Sequence, residues 1–424
     1  MDNSENLLLK RGRLMYIFEA TLEYFISILV AGSYLATLTR ELGFSDGLTG
    51  ILSSVISLGC LFQLLSISIR KTRVKSLVII LSIVNQLLFM LLYIVPLSGG
   101  SKPFKTALFV AFIFLAYLIY NFIHPKKINW LMSLVDDHHR GDFTANKEIV
   151  SLVAGMAFTF GMGAVVDFFT EQGKIRTAFI ISAIVIFTLM LLHTLTMVFT
   201  VEKELPHPPN KKLTQNISEL FKNKNVLRVT AVFILYYISN YASVPFYGTY
   251  LIGELGFSLK LVSTLTICGS VSRILVSKAW GRYADKKSFV AMIEKCFLVL
   301  GVSQLCVILA VPSNGKIMFW LYYILHGIAM GGINSALINL IFDYVAPEKR
   351  ADSLAVTQAV SGLTGFLTTL CISPLINLIQ KNGNTVFGVP LYAQQLVTII
   401  SLAFTVLAIL FVRFVIMKKD TRCS

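Results

Sequence analysis

Runs of about twenty apolar residues recur along the whole of this 424-residue chain, and that recurrence limits what it can fold into. A bilayer core about 30 Å thick is crossed by roughly 20 apolar residues in a helix. Lipid offers the backbone no hydrogen bonds, so a span must satisfy its own amides and carbonyls. Hydrophobic periodicity predicts twelve spans, over 14–39, 47–69, 75–96, 105–133, 147–169, 176–200, 226–251, 258–281, 288–311, 316–343, 353–379 and 390–415. The segments between them are too short for a soluble domain. Charged residues make up only 14% of the chain and hydrophobic ones 55%. A soluble surface needs about 25% charged residues. The predicted fold class is an all-α integral membrane protein of twelve transmembrane helices, arranged as two six-helix bundles.

An even number of spans puts both termini on one side, and charge decides which. With the termini in the cytoplasm, about 27 of the 37 Lys and Arg fall on the cytoplasmic side. The expected location is the cell (plasma or inner) membrane. The net charge of +15 is thus a topological signal and not a nucleic-acid footprint. The six cysteines show no metal-ligand spacing, and five of them lie in spans and read as small apolar groups. The first apolar run, from Leu14, is too long for a cleavable leader and lacks a small-residue cleavage site.

A basic connection over 201–225, carrying Pro206, Pro208 and Pro209, divides the chain into bundles over 1–200 and 226–424. Its Thr214–Phe221 stretch has the pattern of a short amphipathic surface helix. The halves echo one another. Glu41-Leu42-Gly43-Phe44-Ser45 recurs at Glu254-Leu255-Gly256-Phe257-Ser258, an offset of 213 residues. Arg140-Gly141-Asp142 recurs as Arg350-Ala351-Asp352, an offset of 210 residues. Both echoes fall at matching topological places, and parallel six-span repeats are a transporter architecture.

On this topology and repeat, the chain resembles the major facilitator superfamily. The most specific residues follow the eighth span, Gly281-Arg282-Tyr283-Ala284-Asp285-Lys286-Lys287. They look like the family's signature loop, whose acid helps latch the halves on the cytoplasmic side. The resemblance therefore implies a gating latch at Gly281, Asp285 and Lys286, with Arg140 and Arg350 at the matching basic turns. Ser288 replaces the motif's second glycine, and in the first half Ser68 and Thr72 replace the signature glycine and acid. The alternative reading of Asp285 is a solvated turn acid. Leu325-His326-Gly327 is similar to the tenth span of proton symporters of the lactose-permease and phenylpropionate-permease kind. The glycine-proline signature of proton–drug antiporters is missing from the fifth span, and 202–206 does not match the signature of classical sugar porters.

Charges inside a span usually face a cavity or a partner. Glu19 and Glu23 stand four residues apart, on one face of the first span. A carboxylate pair so placed suits a group that takes and releases a proton. By helical rise Glu19 lies only about 7 Å into the span, so snorkelling is an equal alternative. Glu23 lies roughly 14 Å deep, where function or a specific ion pair is favoured. Arg273 is as deep in the eighth span and is read as the partner of Glu23 or of an anionic substrate, with a purely structural pair as the alternative. His326 is the reserve proton carrier, against a hydrogen-bonded core histidine. Asn121 and His124 precede the helix-kinking Pro125 in the fourth span, and Asn334 stands at the repeat position of His124. They suggest a polar path, or glue between helices. Lys126 and Lys127 read as cations meeting lipid phosphate or water near the span's inner end. Tyr237, Asn240 and Tyr241 are the deeper polar residues of the aromatic seventh span and suit stacking on a ring or sugar face, while Tyr247 and Tyr250 read as an interfacial belt.

The expected function is a secondary transporter that moves a small polar organic solute by alternating access, with proton symport as its coupling. Spans one, four, seven and ten would line a cavity between the halves in the family manner. An exporter of amphipathic compounds and a non-transporting sensor on the same scaffold remain open. No metal site, nucleophile elbow or phosphate loop is present, so an enzyme is not expected. The expected partners are a small-molecule substrate, protons and membrane lipid, with no nucleic acid, metal or cofactor, and the chain is expected to act as a monomer.

Overall fold

The structure, a computed structural model, describes residues 3–65, 73–135, 140–202, 223–345, 350–386 and 388–417. Its helices are α1 (Asn3–Leu29), α2 (Gly32–Glu41), α3 (Asp46–Leu65), α4 (Lys75–Ile94), α5 (Lys102–Met132), α6 (Arg140–Glu171), α7 (Ile175–Phe199), α8 (Lys224–Ser243), α9 (Leu259–Lys286), α10 (Phe289–Ile308), α11 (Gly315–Tyr344), α12 (Arg350–Lys381) and α13 (Ala393–Phe411). A two-stranded ribbon, Thr385–Val386 against Val389–Pro390, precedes α13. Among the described residues, twelve helical segments are long and apolar enough to cross a membrane. The first is α1 and α2 together, interrupted at Val30 and Ala31. Large apolar side chains such as Leu275, 74% exposed, point outward along these helices, as expected of surfaces covered by lipid. The 214–221 stretch lies outside the described residues.

The echoed Glu-Leu-Gly-Phe-Ser segment stops one helix and starts the next. Gly43 and Gly256 take φ of +66° and +65°, the left-handed conformation that ends helices and that other residues avoid. Two residues later, Ser45 Oγ accepts from Leu48 N–H and Ser258 Oγ from Leu261 N–H, each at 3.2 Å. Each serine thereby caps the incoming helix.

The chain divides into two compact units. The first comprises Met1–Phe44, Gly59–Pro209 and Ser258–Ser263. Tyr16, Val78, Trp130, Leu131 and Met197 pack inside it. The ends of α4 and α7 clasp each other there. Glu202 Oε1 accepts from the N–H groups of Val74 and Lys75 at 2.5 and 2.7 Å, while Lys75 Nζ donates to the carbonyls of Val198 and Thr200 at 2.8 and 2.7 Å. An anion at a helix start and a cation at a helix end both oppose the backbone dipoles.

The second unit comprises Ser45–Leu58, Asn210–Phe257 and Thr264–Ser424. Its core is apolar, with Val232, Phe233, Ile293, Phe297, Ile333 and Leu337 buried together. Neutral hydrogen bonds tie its helices: Gln304 Nε2 donates to Ser401 Oγ at 2.8 Å and Gln304 Oε1 accepts from Thr405 Oγ1 at 2.9 Å. α9 and α11 meet backbone to backbone. A Cβ on Gly327 would fall 2.2 Å from the Gly269 carbonyl oxygen. Small residues permit such approach between membrane helices.

Candidate functional site

Glu19 and Glu23 point from one face of α1 at a single cation, Lys127 of α5. Its ammonium lies 2.8 Å from Glu19 Oε1 and 2.5 and 2.6 Å from the two oxygens of Glu23. Glu19 and Lys127 are each 1% exposed, and the Glu23 side chain is 22% exposed. The group continues away from solvent. His193 of α7, fully buried, places Nε2 3.1 Å from Glu19 Oε1, and its Nδ1 lies 3.0 Å from Gln86 Nε2 of α4. Four helices of the first unit thus converge on a chain running Glu23, Lys127, Glu19, His193, Gln86. Lys147 of α6 stands beside it, with its ammonium 4.8 Å from the Tyr16 ring centre.

Electrostatics explains why these groups stay together. A buried carboxylate without a partner is unstable in a medium that solvates it poorly. One ammonium shared by two carboxylates leaves one negative charge over, which a single proton would neutralise. Glu19, Glu23 and His193 bring ligand atoms within 4.8 Å of one another, near enough to share an ion. The Lys127 ammonium already holds the carboxylate oxygens, so the cation of this site is the protein's own side chain.

The second unit does without the cluster. By the repeat offsets, Glu19 corresponds to Val232, Glu23 to Tyr236 and Lys127 to Leu337. All three counterparts are buried in that unit's apolar core. Uncharged side chains therefore fill these positions well enough to build a helical bundle, and a buried ion pair is weak evidence for stability in any case.

Several expectations are corrected. Lys127 meets neither lipid phosphate nor water, and Glu19 does not snorkel, because each is buried against the other. Lys127, on α5, is an ion-pair partner of Glu23 that the sequence reading did not name. Tyr247 and Tyr250 are interior residues and not a belt: their hydroxyls bond Thr398 Oγ1 at 3.1 Å and the Ala310 carbonyl at 2.5 Å. His193 and Gln86 are unforeseen. Their signal was their polarity within the apolar third and sixth spans.

The remaining candidates are placed as follows. Asn121 is buried, donates to the Tyr117 carbonyl at 2.9 Å and accepts from Gln63 Nε2 at 3.0 Å. α5 continues through Pro125. The His124 ring leans on Tyr120, and its buried Nδ1 has no hydrogen-bond partner. Tyr237 and Tyr241 stack with ring centres 5.7 Å apart on α8, which also carries the half-buried Asn240. Arg273 and His326 are half-buried, and His326 leans on Tyr322 at 5.2 Å. Asn334 is exposed. Gly281 and Lys286 are exposed near the end of α9, while the side chains of Arg140, Asp285 and Arg350 lie outside the described residues. Ser288, in place of the motif's second glycine, caps α10 by accepting from Ala291 N–H at 3.0 Å.

The Major Facilitator Superfamily profile matches residues 17–369. The chain belongs to that superfamily. It is accordingly an integral membrane transporter and not an enzyme. Solved members share its fold across nearly the whole length. The nucleoside transporter NupG is 15% identical, with a TM-score of 0.69 over 97% of this chain and 100% of that one. A D-xylose–proton symporter is 13% identical, with a TM-score of 0.65 over 96% and 97%. A bacterial homologue of the human lysosomal transporter Spinster, in an inward-facing and unoccupied conformation, is 13% identical with a TM-score of 0.65 over 97% of each chain. Among curated protein sequences, none matches the chain.

Proposed function

We propose that this major facilitator protein is a proton-coupled symporter for a small polar organic solute, with Glu23 as its main proton-binding group. The observation that carries the reading is the ammonium of Lys127 held between two carboxylates at positions that the other half fills with uncharged residues. Glu23 is the most exposed member of the cluster and the one a proton from water reaches first. A proton on Glu23 leaves Lys127 with one anion to answer, so the ammonium settles on Glu19 and Glu23 is released. The first span then has two arrangements that differ in affinity for a proton, and that difference is what coupling requires.

Arg273, Asn121, His124, Tyr237, Asn240, Tyr241 and Asn334 are the proposed solute contacts. The stacked pair Tyr237 and Tyr241 offers ring faces, and His124 Nδ1 offers a free buried polar atom. NupG is a nucleoside transporter and another fold relative is a D-xylose–proton symporter, which supports a polar, ring-bearing solute and proton coupling. His326 is the reserve proton carrier. Gly281, Asp285, Lys286, Arg140 and Arg350 are the proposed latch, and the protein is proposed to act as a monomer in the cell membrane with both termini cytoplasmic.

Proteoliposomes with trapped pyranine, given uridine, D-xylose and a panel of polar solutes, test the reading. A solute that is carried should bring protons with it and be concentrated by an inward pH gradient. Glu23→Gln should abolish that accumulation and leave solute exchange intact. Uptake that ignores both the pH gradient and a protonophore would remove the proton from the mechanism.

A further inference from the structure

We infer that His193 is a second seat for the exchangeable proton, and that the Gln86 carboxamide turns over to follow it. The inference rests on the proton-coupled reading above and adds to it a residue and a moving part. His193 is fully buried, yet both ring nitrogens are engaged, Nε2 with Glu19 Oε1 at 3.1 Å and Nδ1 with Gln86 at 3.0 Å. With the carboxamide nitrogen facing the ring, Nδ1 must accept. The ring is then neutral, and its one N–H points at Glu19. A carboxamide can present its oxygen instead by a half-turn about its last bond. Nδ1 then carries a hydrogen, both ring nitrogens donate, and the ring is an imidazolium between Glu19 and the Gln86 oxygen.

Among the described residues, His193 is the carboxamide's hydrogen-bond partner. Gln86 is 2% exposed, and its Oε1 has no hydrogen-bond partner. The far oxygen is unpartnered in this orientation, so no bond there opposes the half-turn and the ring selects which face it meets. The charged and titratable groups facing this end of the cluster, among the described residues, are Glu19, Glu23 and Tyr16 on α1, Tyr120, His124 and Lys127 on α5, and Lys147 on α6, while α4 presents the neutral Gln86. The carboxylates outnumber the single ammonium that bonds them, so an imidazolium brings the bonded group of four to neutrality. On protonation one bond forms, Nδ1–H. The proton comes from bulk water and returns there on release. Nε2–H keeps its bond to Glu19 throughout.

Solid-state 15N spectra of histidine-labelled protein in lipid bilayers, with the His193→Gln spectrum subtracted, report this residue alone. Between pH 8.5 and pH 5, His193 should pass from one protonated nitrogen to two. Gln86→Met, which offers no oxygen to Nδ1–H, should lower the imidazolium fraction at pH 6 at least fivefold. His193→Gln should change the pH profile of uptake as well as its rate, which a merely structural residue would not do. A His193 signal that holds one protonation state across this range, or that titrates identically in Gln86→Met, overturns the inference. The spectra need no transported solute, so they decide the matter separately from a wild-type protein that ignores a pH gradient, which would refute the proton-coupled reading alone.

Discussion

Asp167 and Asn377 stand 210 residues apart at matching places in the two repeats, and each accepts hydrogen bonds from the backbone at the start of a helix. Asp167 takes the N–H groups of Leu259 and Lys260 at 2.9 and 2.6 Å, at the head of α9. Asn377 takes the N–H of Gly47 at 3.2 Å, at the head of α3. The repeat has kept the device and varied its charge.

The two caps should differ in strength. A charged acceptor at a helix start holds two donors and opposes the dipole, whereas the amide holds one. Losing a cap costs about 0.5–2 kcal/mol. Asp167→Ala should therefore lower the melting temperature of the purified protein more than Asn377→Ala does. Equal losses in thermal unfolding would show that charge adds nothing here.

Lys127→Leu should be far more damaging than either cap mutation. It strands Glu19 in the interior, and breaking one side of a buried pair costs about 3–5 kcal/mol. Adding Glu19→Val gives the first half the apolar residues that the second half carries at Val232 and Leu337. The double variant should recover most of the lost stability by melting temperature while failing to couple solute to protons. A double variant no more stable than Lys127→Leu would mean that the fold itself depends on the charges.

The twelve spans were legible because lipid imposes a long apolar run on each of them, and the repeats were legible because Gly43 and Gly256 do an identical backbone task. The shared face of Glu19 and Glu23 followed from helical spacing. Their partner did not, because the face that one span turns toward another depends on packing across many residues. Lys127, only five residues before the end of α5, looked close enough to water to escape burial. It is held inside by two carboxylates from another helix. His193 and Gln86 carried no spacing signal, since a relay across α7 and α4 joins residues 107 positions apart.

The proposed cytoplasmic placement of the termini and of the 201–225 connection rests on the basic residues, and Ser218→Cys on a cysteine-free background tests it. A membrane-impermeant maleimide should label that position in inside-out vesicles and not in intact cells. Labelling from outside would reverse the assignment of every loop.

Glycines should separate sharply by surroundings. Gly281→Ala, where nothing lies within 4 Å of the new methyl group, should leave the melting temperature unchanged or slightly raised. Gly327→Ala drives a methyl into the Gly269 carbonyl oxygen and should cost about 1–3 kcal/mol or more. A fluorescence-detected melting curve on the two variants distinguishes them.

That contact also constrains how α9 and α11 can move. Gly269 faces the carbonyl and ring of Tyr323, 3.0 and 3.4 Å from where a Cβ would stand, so the groove holding Gly327 is walled by larger groups. Sliding one helix along the other by a turn would need a side chain to pass through a gap that admits only hydrogen. The two helices are therefore bolted against sliding at this crossing, and a working stroke that shifts one along the other must first part them here.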